Sequence, residues 1–138
     1  MKRALVSVSD KTGLVEFLRP LIEDGLKIVS TGGTLKYLRQ NGFEAQDVSE
    51  VTQFPEVLDG RVKTLHPSVH MGLLADLRNS ALVQQLSQFK VEPFDIVIGN
   101  LYPFEKTALD ANASEENLIE NINIGGPSFL RASAKNFH

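Results

Sequence analysis

The apolar positions of this chain alternate between short unbroken runs and helical spacing. Ala4-Leu5-Val6-Ser7-Val8 reads as a strand buried on both faces, and Ser9-Asp10-Lys11-Thr12 follows as a candidate helix cap. Leu14, Phe17, Leu18 and Leu21 then recur at helical spacing, with Pro20 expected to bend or tighten the helix and Gly25 to end it. Lys27 to Ser30 predicts a second strand, Thr31-Gly32-Gly33-Thr34 a turn, and Leu35, Tyr37 and Leu38 a second helix. Phe43 to Val48 predicts a third, weaker strand, and Val51 to Leu58 a loop or short helix. Helices are expected over His66 to Leu77 and Ser80 to Phe89, from Ser114 to about Asn121, and over Ser128 to Asn136. Phe94 to Gly99 is the clearest strand of the second half. Alternating strands and helices imply an α/β fold, a mostly parallel sheet covered by helices on both faces with right-handed crossovers.

Composition narrows the setting. The chain has 138 residues, 42% of them hydrophobic, enough for one domain spanning 1–138 and not for two. No closing strand follows the last helical segment before His138, so the domain is expected to be cut short at its C-terminal end. There are no cysteines, which excludes disulfides and thiolate metal sites and suits a cytoplasmic protein. No apolar run is long enough for a membrane span. A net charge of −3 argues against a general nucleic-acid surface. Yet Lys11, Arg61, Lys63, Arg131 and Lys135 lie in or beside glycine-marked polar stretches, as a local pocket for a small anion requires.

Four such stretches stand out: Ser30 to Thr34, Asp59 to Pro67, Asn100 to Phe104, and Asn123 to Asn136. Each is expected where a strand ends, and in open α/β sheets ligands bind at the carboxyl ends of strands. Thr31-Gly32-Gly33-Thr34 at a helix start offers N–H groups and a dipole to a phosphate, although a tight strand-to-helix turn favours the same residues. Lys11 could reach the same anion or simply flank an exposed cap. Arg61 and Lys63, two apart, face the same way in an extended loop and could clamp one oxyanion, or be a solvated charge pair. His66 and His70 stand four apart, a metal-ligand spacing on a helix, but no third ligand follows at a recognisable interval, so no metal is expected. The Tyr102 hydroxyl could meet a base or carbonyl, or pack on the sheet edge. Lys135, among small residues, could become an acid–base group if desolvated, whereas most helix-end lysines only complement the dipole.

Together, Ser7 to Lys11, Ser30 to Thr34, Asp59 to Pro67, Asn100 to Phe104 and Asn123 to Asn136 resemble the amino-terminal domain of the bifunctional purine biosynthesis proteins that join AICAR transformylase to IMP cyclohydrolase. The resemblance covers essentially the whole chain. It implies a methylglyoxal-synthase-like three-layer fold, and dehydrative ring closure of the ribotide FAICAR to IMP, or IMP hydrolysis in reverse. It also implies substrate contacts from Ser9, Asp10 and Lys11; from Thr31, Gly32, Gly33 and Thr34; and from Arg61, Val62, Lys63 and Thr64. Gly99 and Asn100, with Asn123, Ile124, Gly125 and Gly126, are implied on the base side. The implied catalytic group is Lys63, Tyr102, Lys135 and the position of Asn123. No cofactor is implied; a homodimer is, with a transformylase domain that this chain lacks.

Asn123 departs from the pattern, since the family carries an aspartate there. An amide keeps hydrogen bonding and loses charge and basicity, with Glu120 as a nearby carboxylate. Two other readings stand beside the cyclohydrolase: a ribotide-binding module of the same fold without turnover, and a methylglyoxal synthase acting on a triose phosphate.

Overall fold

The structure is a computed structural model that describes residues 2–138; Met1 lies outside the described residues. Four strands, β1 (Arg3–Ser7), β2 (Lys27–Ser30), β3 (Gln46–Asp47) and β4 (Ile96–Gly99), form one sheet in the order β3-β2-β1-β4, every pair parallel. β1 and β2 carry side chains buried on both faces, which is why they read as continuous apolar runs.

Ala4, Val6 and Ile28 point to one face, where Leu14, Val15 and Leu18 of helix α1 (Leu14–Glu23) and Leu35 and Leu38 of α2 (Gly32–Gln40) cover them. Leu5 and Val29 point to the other, against Val48 of α3 (Val48–Thr52), Val69 and Leu73 of α4 (Pro67–Leu74), and Phe129 and Ala132 further on. The three-layer α/β arrangement expected from the alternation is therefore what forms.

The remaining helices are α5 (Ser80–Gln88), α6 (Phe104–Ala108), α7 (Glu115–Glu120) and α8 (Gly125–Lys135). α7 begins with a capping box in which Ser114 and Asn117 bond each other's backbone. α8 begins three residues earlier than the glycines and proline suggested. Pro127 sits in its first turn, where backbone N–H groups have no helical partner anyway.

Three local expectations are corrected. The Ser9 to Thr12 segment does not cap α1: the helix starts after Gly13, at φ 71°, and the Asp10 carboxylate instead accepts from Thr12 N–H and Oγ1 at 2.9 and 2.7 Å. The third strand shrinks from Phe43–Val48 to Gln46–Asp47, because the Arg39 guanidinium takes the Ala45 carbonyl at 2.9 and 3.2 Å while Phe43 and Ala45 turn into the core. The helix expected over His66 to Leu77 covers only Pro67–Leu74, and the side-chain amide of Asn136, the C-cap of α8, donates to the Leu73 and Ala75 carbonyls at 2.9 and 3.0 Å.

Candidate functional site

β1 leads to β2 on one side, whereas β4 lies on the other, so the strand order reverses between β1 and β4. Loops leaving the two strand ends diverge there and open a crevice at their carboxyl ends. A cavity of about 430 Å³ occupies that position. It is lined by Ser7 at the end of β1 with Val8 and Ser9 beyond it, Thr31, Gly33 and Thr34 after β2, and Asn100 and Tyr102 after β4. Residues 59–61, 63 and 64 close one side, and residues 120–126 with Phe129 close the other.

The positive end of the cavity lies at the start of α2. A Cβ on Gly32, whose φ is 47°, would sit 2.9 Å from Lys63 Nζ, and one on Gly33 would sit 3.9 Å from Lys11 Nζ. Two ammonium groups thus stand against a helix N-terminus, where unpaired N–H groups and the dipole already favour negative charge. Lys11 is steadied by donating to the Ser9 carbonyl at 3.1 Å. The Thr34 hydroxyl is already engaged, accepting from Val8 N–H at 3.0 Å and donating to its carbonyl at 2.9 Å. It braces the end of β1 while lining the cavity.

Arg61 and Lys63 do not sit in an extended loop. Leu58, Asp59 and Gly60 have φ of 54°, 53° and 82°, and Val57 bridges to Val62, so the chain turns tightly before the two cations. Their side chains diverge. Arg61 forms an ion pair with Glu120 across the cavity mouth, and Lys63 Nζ lies 3.2 Å from Glu56 Oε1. The Arg61–Glu120 pair is exposed at 62% and 59%, so it is worth about 1 kcal/mol or less and can be exchanged for a ligand.

At the opposite end, Asn123 Oδ1 accepts from Gly126 N–H at 3.0 Å and fixes the first turn of α8. An aspartate would make the same bond, so the amide preserves this geometry while removing a charge. The bond also consumes the Gly126 N–H; Gly125 N–H makes no hydrogen bond among the described residues. Thr64 is buried, and its Oγ1 lies 3.0 Å from where a Cβ on Gly125 would be, which lets α8 start close to the 61–64 segment. Tyr102 is 56% exposed at the rim.

Most of the residues singled out in the sequence meet here: Ser9, Lys11, Thr31, Gly33, Thr34, Arg61, Lys63, Thr64, Asn100, Tyr102, Asn123, Ile124, Gly125 and Gly126. Asp10, Gly32, Val62 and Gly99 flank the cavity without lining it. Lys135 is not brought to it: α8 starts at the cavity with Gly125 and carries Lys135 in its last turn, about 15 Å along the axis at 1.5 Å per residue. Ser7, Asp59, Glu120, Asn121, Ile122 and Phe129 line the cavity without having been proposed as ligands.

The two histidines have local partners. His66 Nδ1 accepts from Ser68 N–H at 3.2 Å as the cap of α4, and His70 Nε2 lies 3.0 Å from Ser128 Oγ. No group of three or more possible metal ligands occurs among the described residues, and no helix there is long and apolar enough to cross a membrane.

Known proteins share this sequence and fold. The profile of the family described as MGS-like domain matches residues 13–128. The chain is 55% identical over 135 residues to the bifunctional purine biosynthesis protein PurH of Bacillus cereus (strain ATCC 10987 / NRS 248), covering 98% of this chain and 26% of that protein. The same protein of Bacillus thuringiensis (strain Al Hakam) is 55% identical over the same coverage, so the chain spans about a quarter of the length of these relatives. A crystal structure of ForH superposes with a TM-score of 0.80 at 31% identity, covering 99% of this chain and 69% of that one. With a family profile matched over most of its length, the chain belongs to the MGS-like domain family.

Proposed function

We propose that this chain is an IMP cyclohydrolase domain, closing FAICAR to IMP with loss of water. The observation that carries the reading is the polarity of the cavity. Lys11 and Lys63 stand against the α2 N-terminus at one end, and Tyr102, Asn123 and the α8 turn form the other, as a molecule with a phosphate at one end and a base at the other requires. Similarity to bifunctional purine biosynthesis proteins supports the same substrate class.

In this reading the 5′-phosphate sits over Thr31 to Thr34. The carboxamide nitrogen attacks the formyl carbon and gives up one proton, the formyl oxygen gathers negative charge and takes up two protons, and it leaves as water as the formamido nitrogen loses its proton to form the new C=N bond. Orientation alone accounts for much of the rate, since effective molarities of oriented intramolecular reactions reach about 10⁵ M or more. Gly125 N–H is the backbone donor left for the oxyanion, and Tyr102 is the proton-handling side chain at that end of the cavity, with Lys63 at the phosphate end. No cofactor enters the scheme.

Cyclisation of FAICAR by this chain tests the proposal, with Tyr102→Phe expected to lower kcat by about 10²-fold or more. Absence of turnover above background would overturn it. Lys135→Ala locates the remaining proton carrier: a comparable loss with intact IMP binding would mean that the active assembly brings Lys135 to the cavity from another copy of the chain. Gly33→Asp is expected nearly to abolish IMP binding, because it sets a carboxylate beside Lys11 Nζ where the phosphate belongs. Inosine should bind at least about 10²-fold more weakly than IMP.

A ribotide-binding module without turnover is the second reading, favoured by the uncharged Asn123 and by the position of Lys135. It predicts IMP binding without ring closure, persisting in Asn123→Asp. Methylglyoxal formation from dihydroxyacetone phosphate is not expected.

A further inference from the structure

Asn100 follows the last paired residue of β4. Its Oδ1 accepts from Ser9 N–H at 2.6 Å and from Asp10 N–H at 3.1 Å, and its Nδ2 donates to the Asp10 carbonyl at 2.7 Å. A carboxamide offers two acceptor lone pairs and two N–H donors, so the oxygen is fully used and one N–H remains. The side chain extends the β1–β4 ladder past its final pair, Ser7 with Gly99, into a segment that has neither helix nor strand.

That segment carries Lys11. Its ammonium group donates to the Ser9 carbonyl at 3.1 Å and lies beside Gly33 at the start of α2. Asn100 grips Ser9 and Asp10, Ser9 holds Lys11, and Lys11 faces the positive end of the cavity. Thr34, in the first turn of α2, holds the preceding residue, Val8, so side chains from α2 and from the loop after β4 fix this segment.

We propose that Asn100 is a positioning residue that sets the position of Lys11 and so acts on the anionic end of the ligand, although it stands beside the end assigned to the base. The three bonds are exposed, so losing them alters the loop far more than global stability. The inference rests on the proposed function only in taking a ribotide as the ligand.

The test is a double-mutant cycle of Asn100→Ala and Lys11→Met, read by calorimetric titration of IMP and inosine, together with amide hydrogen exchange of the free protein. Asn100→Ala is expected to weaken IMP about tenfold, leave inosine within about twofold, and add less than about twofold in the Lys11→Met background. Exchange at Ser9 and Asp10 should accelerate about tenfold or more while that at Val6 and Val97 is unchanged. Asn100→Asp, which keeps the acceptor and loses the donor, should fall between. Equal losses for IMP and inosine, additive losses with Lys11→Met, or unchanged exchange at Ser9 and Asp10 would each overturn the proposal. If the unmodified protein binds no IMP, the ribotide reading fails by itself; the exchange data and the same cycle with inorganic phosphate then decide the role of Asn100.

Discussion

Gly99→Ala is the most direct test of how the sheet holds the cavity. A Cβ at residue 99 would lie 2.7 Å from Cε2 and 2.9 Å from Cζ of Phe129, with the Ser7 carbonyl oxygen 3.3 Å away. Contacts under 3.0 Å must be relieved by movement. Ser7 is fixed in the β1–β4 pairing, and the Phe129 ring is 2% exposed within the core of Leu5, Val29, Val69 and Leu73. The strain therefore falls on α8, whose first turn lines the cavity. Overpacking of this kind costs about 1–3 kcal/mol. With a urea m-value of about 2 kcal/mol/M, the midpoint of unfolding should fall by about 0.5–1.5 M. Affinity for IMP should fall as well, by up to about 10²-fold if the α8 turn moves by about 1 Å.

Gly72→Ala is the companion measurement. A Cβ there would lie 2.9 Å from the Glu92 carbonyl and 3.0 Å from the Phe94 ring, at the opposite end of β4 from the cavity. Its clash is partly offset by the better helix propensity of alanine, about 1 kcal/mol, and IMP affinity should not change. A Gly99→Ala midpoint within about 0.2 M of the unmodified protein, with unchanged IMP affinity, would refute the argument that α8 is held against β4 at this residue.

Three further outcomes are expected. Glu120→Gln frees Arg61 from its ion pair and should tighten IMP about two- to fivefold at low salt, an effect that high salt removes; calorimetry showing equal or weaker binding would contradict this. Arg3→Met removes bonds to the Glu92 carbonyl at 3.2 Å and to Gln46 Oε1 at 3.4 Å, and the stacking of the guanidinium 4.8 Å above Phe94. Urea unfolding should register about 2 kcal/mol of lost stability, with IMP affinity unchanged. The Asp76 carboxyl is held down at about 2, chiefly by the Arg78 guanidinium hydrogen bond, so its folded value lies below its unfolded one. Its contribution to stability is then present above about pH 4 and lost as the pH falls towards about 2, and Arg78→Ala should raise the Asp76 midpoint seen by NMR.

The first half of the fold was legible because its signals are local and agree with one another. β1 and β2 are apolar on both faces, Gly25 closes α1, and the glycine turn opens α2 where the strand ends. β3 was over-read because nothing in Phe43 to Val48 announces that Arg39 will take a carbonyl the ladder would have used. The residue spacing that made Arg61 and Lys63 partners assumed an extended chain, and a run of left-handed residues at Leu58 and Asp59 is invisible when neither is glycine. Lys135 was joined to the catalytic group by resemblance, and the length of α8 sets it about 15 Å along the helix axis from Gly125. The Thr34 hydroxyl also braces the end of β1, a partner invisible in the sequence until β1 is laid next to it. The strand-end rule, by contrast, held for Ser30 to Thr34 and Asn100 to Phe104, which follow β2 and β4, whereas Asp59 to Pro67 and Asn123 to Asn136 reach the cavity from between helices, where no strand ends.

The turn ahead of Arg61 has a consequence for how this domain could evolve or be engineered. Leu58 and Asp59 hold left-handed backbone that side chains disfavour by roughly 1–2 kcal/mol each, and Leu58 is 68% exposed, so burial returns little of that energy. Replacing either by glycine would relax the folded chain while loosening the unfolded one, leaving overall stability nearly level. What would change is the breadth of shapes the rim visits. The two cations at the cavity mouth are carried by the stretch of backbone least content with its own conformation, so selection for heat resistance and selection for ligand choice would act on the same few residues and pull them apart.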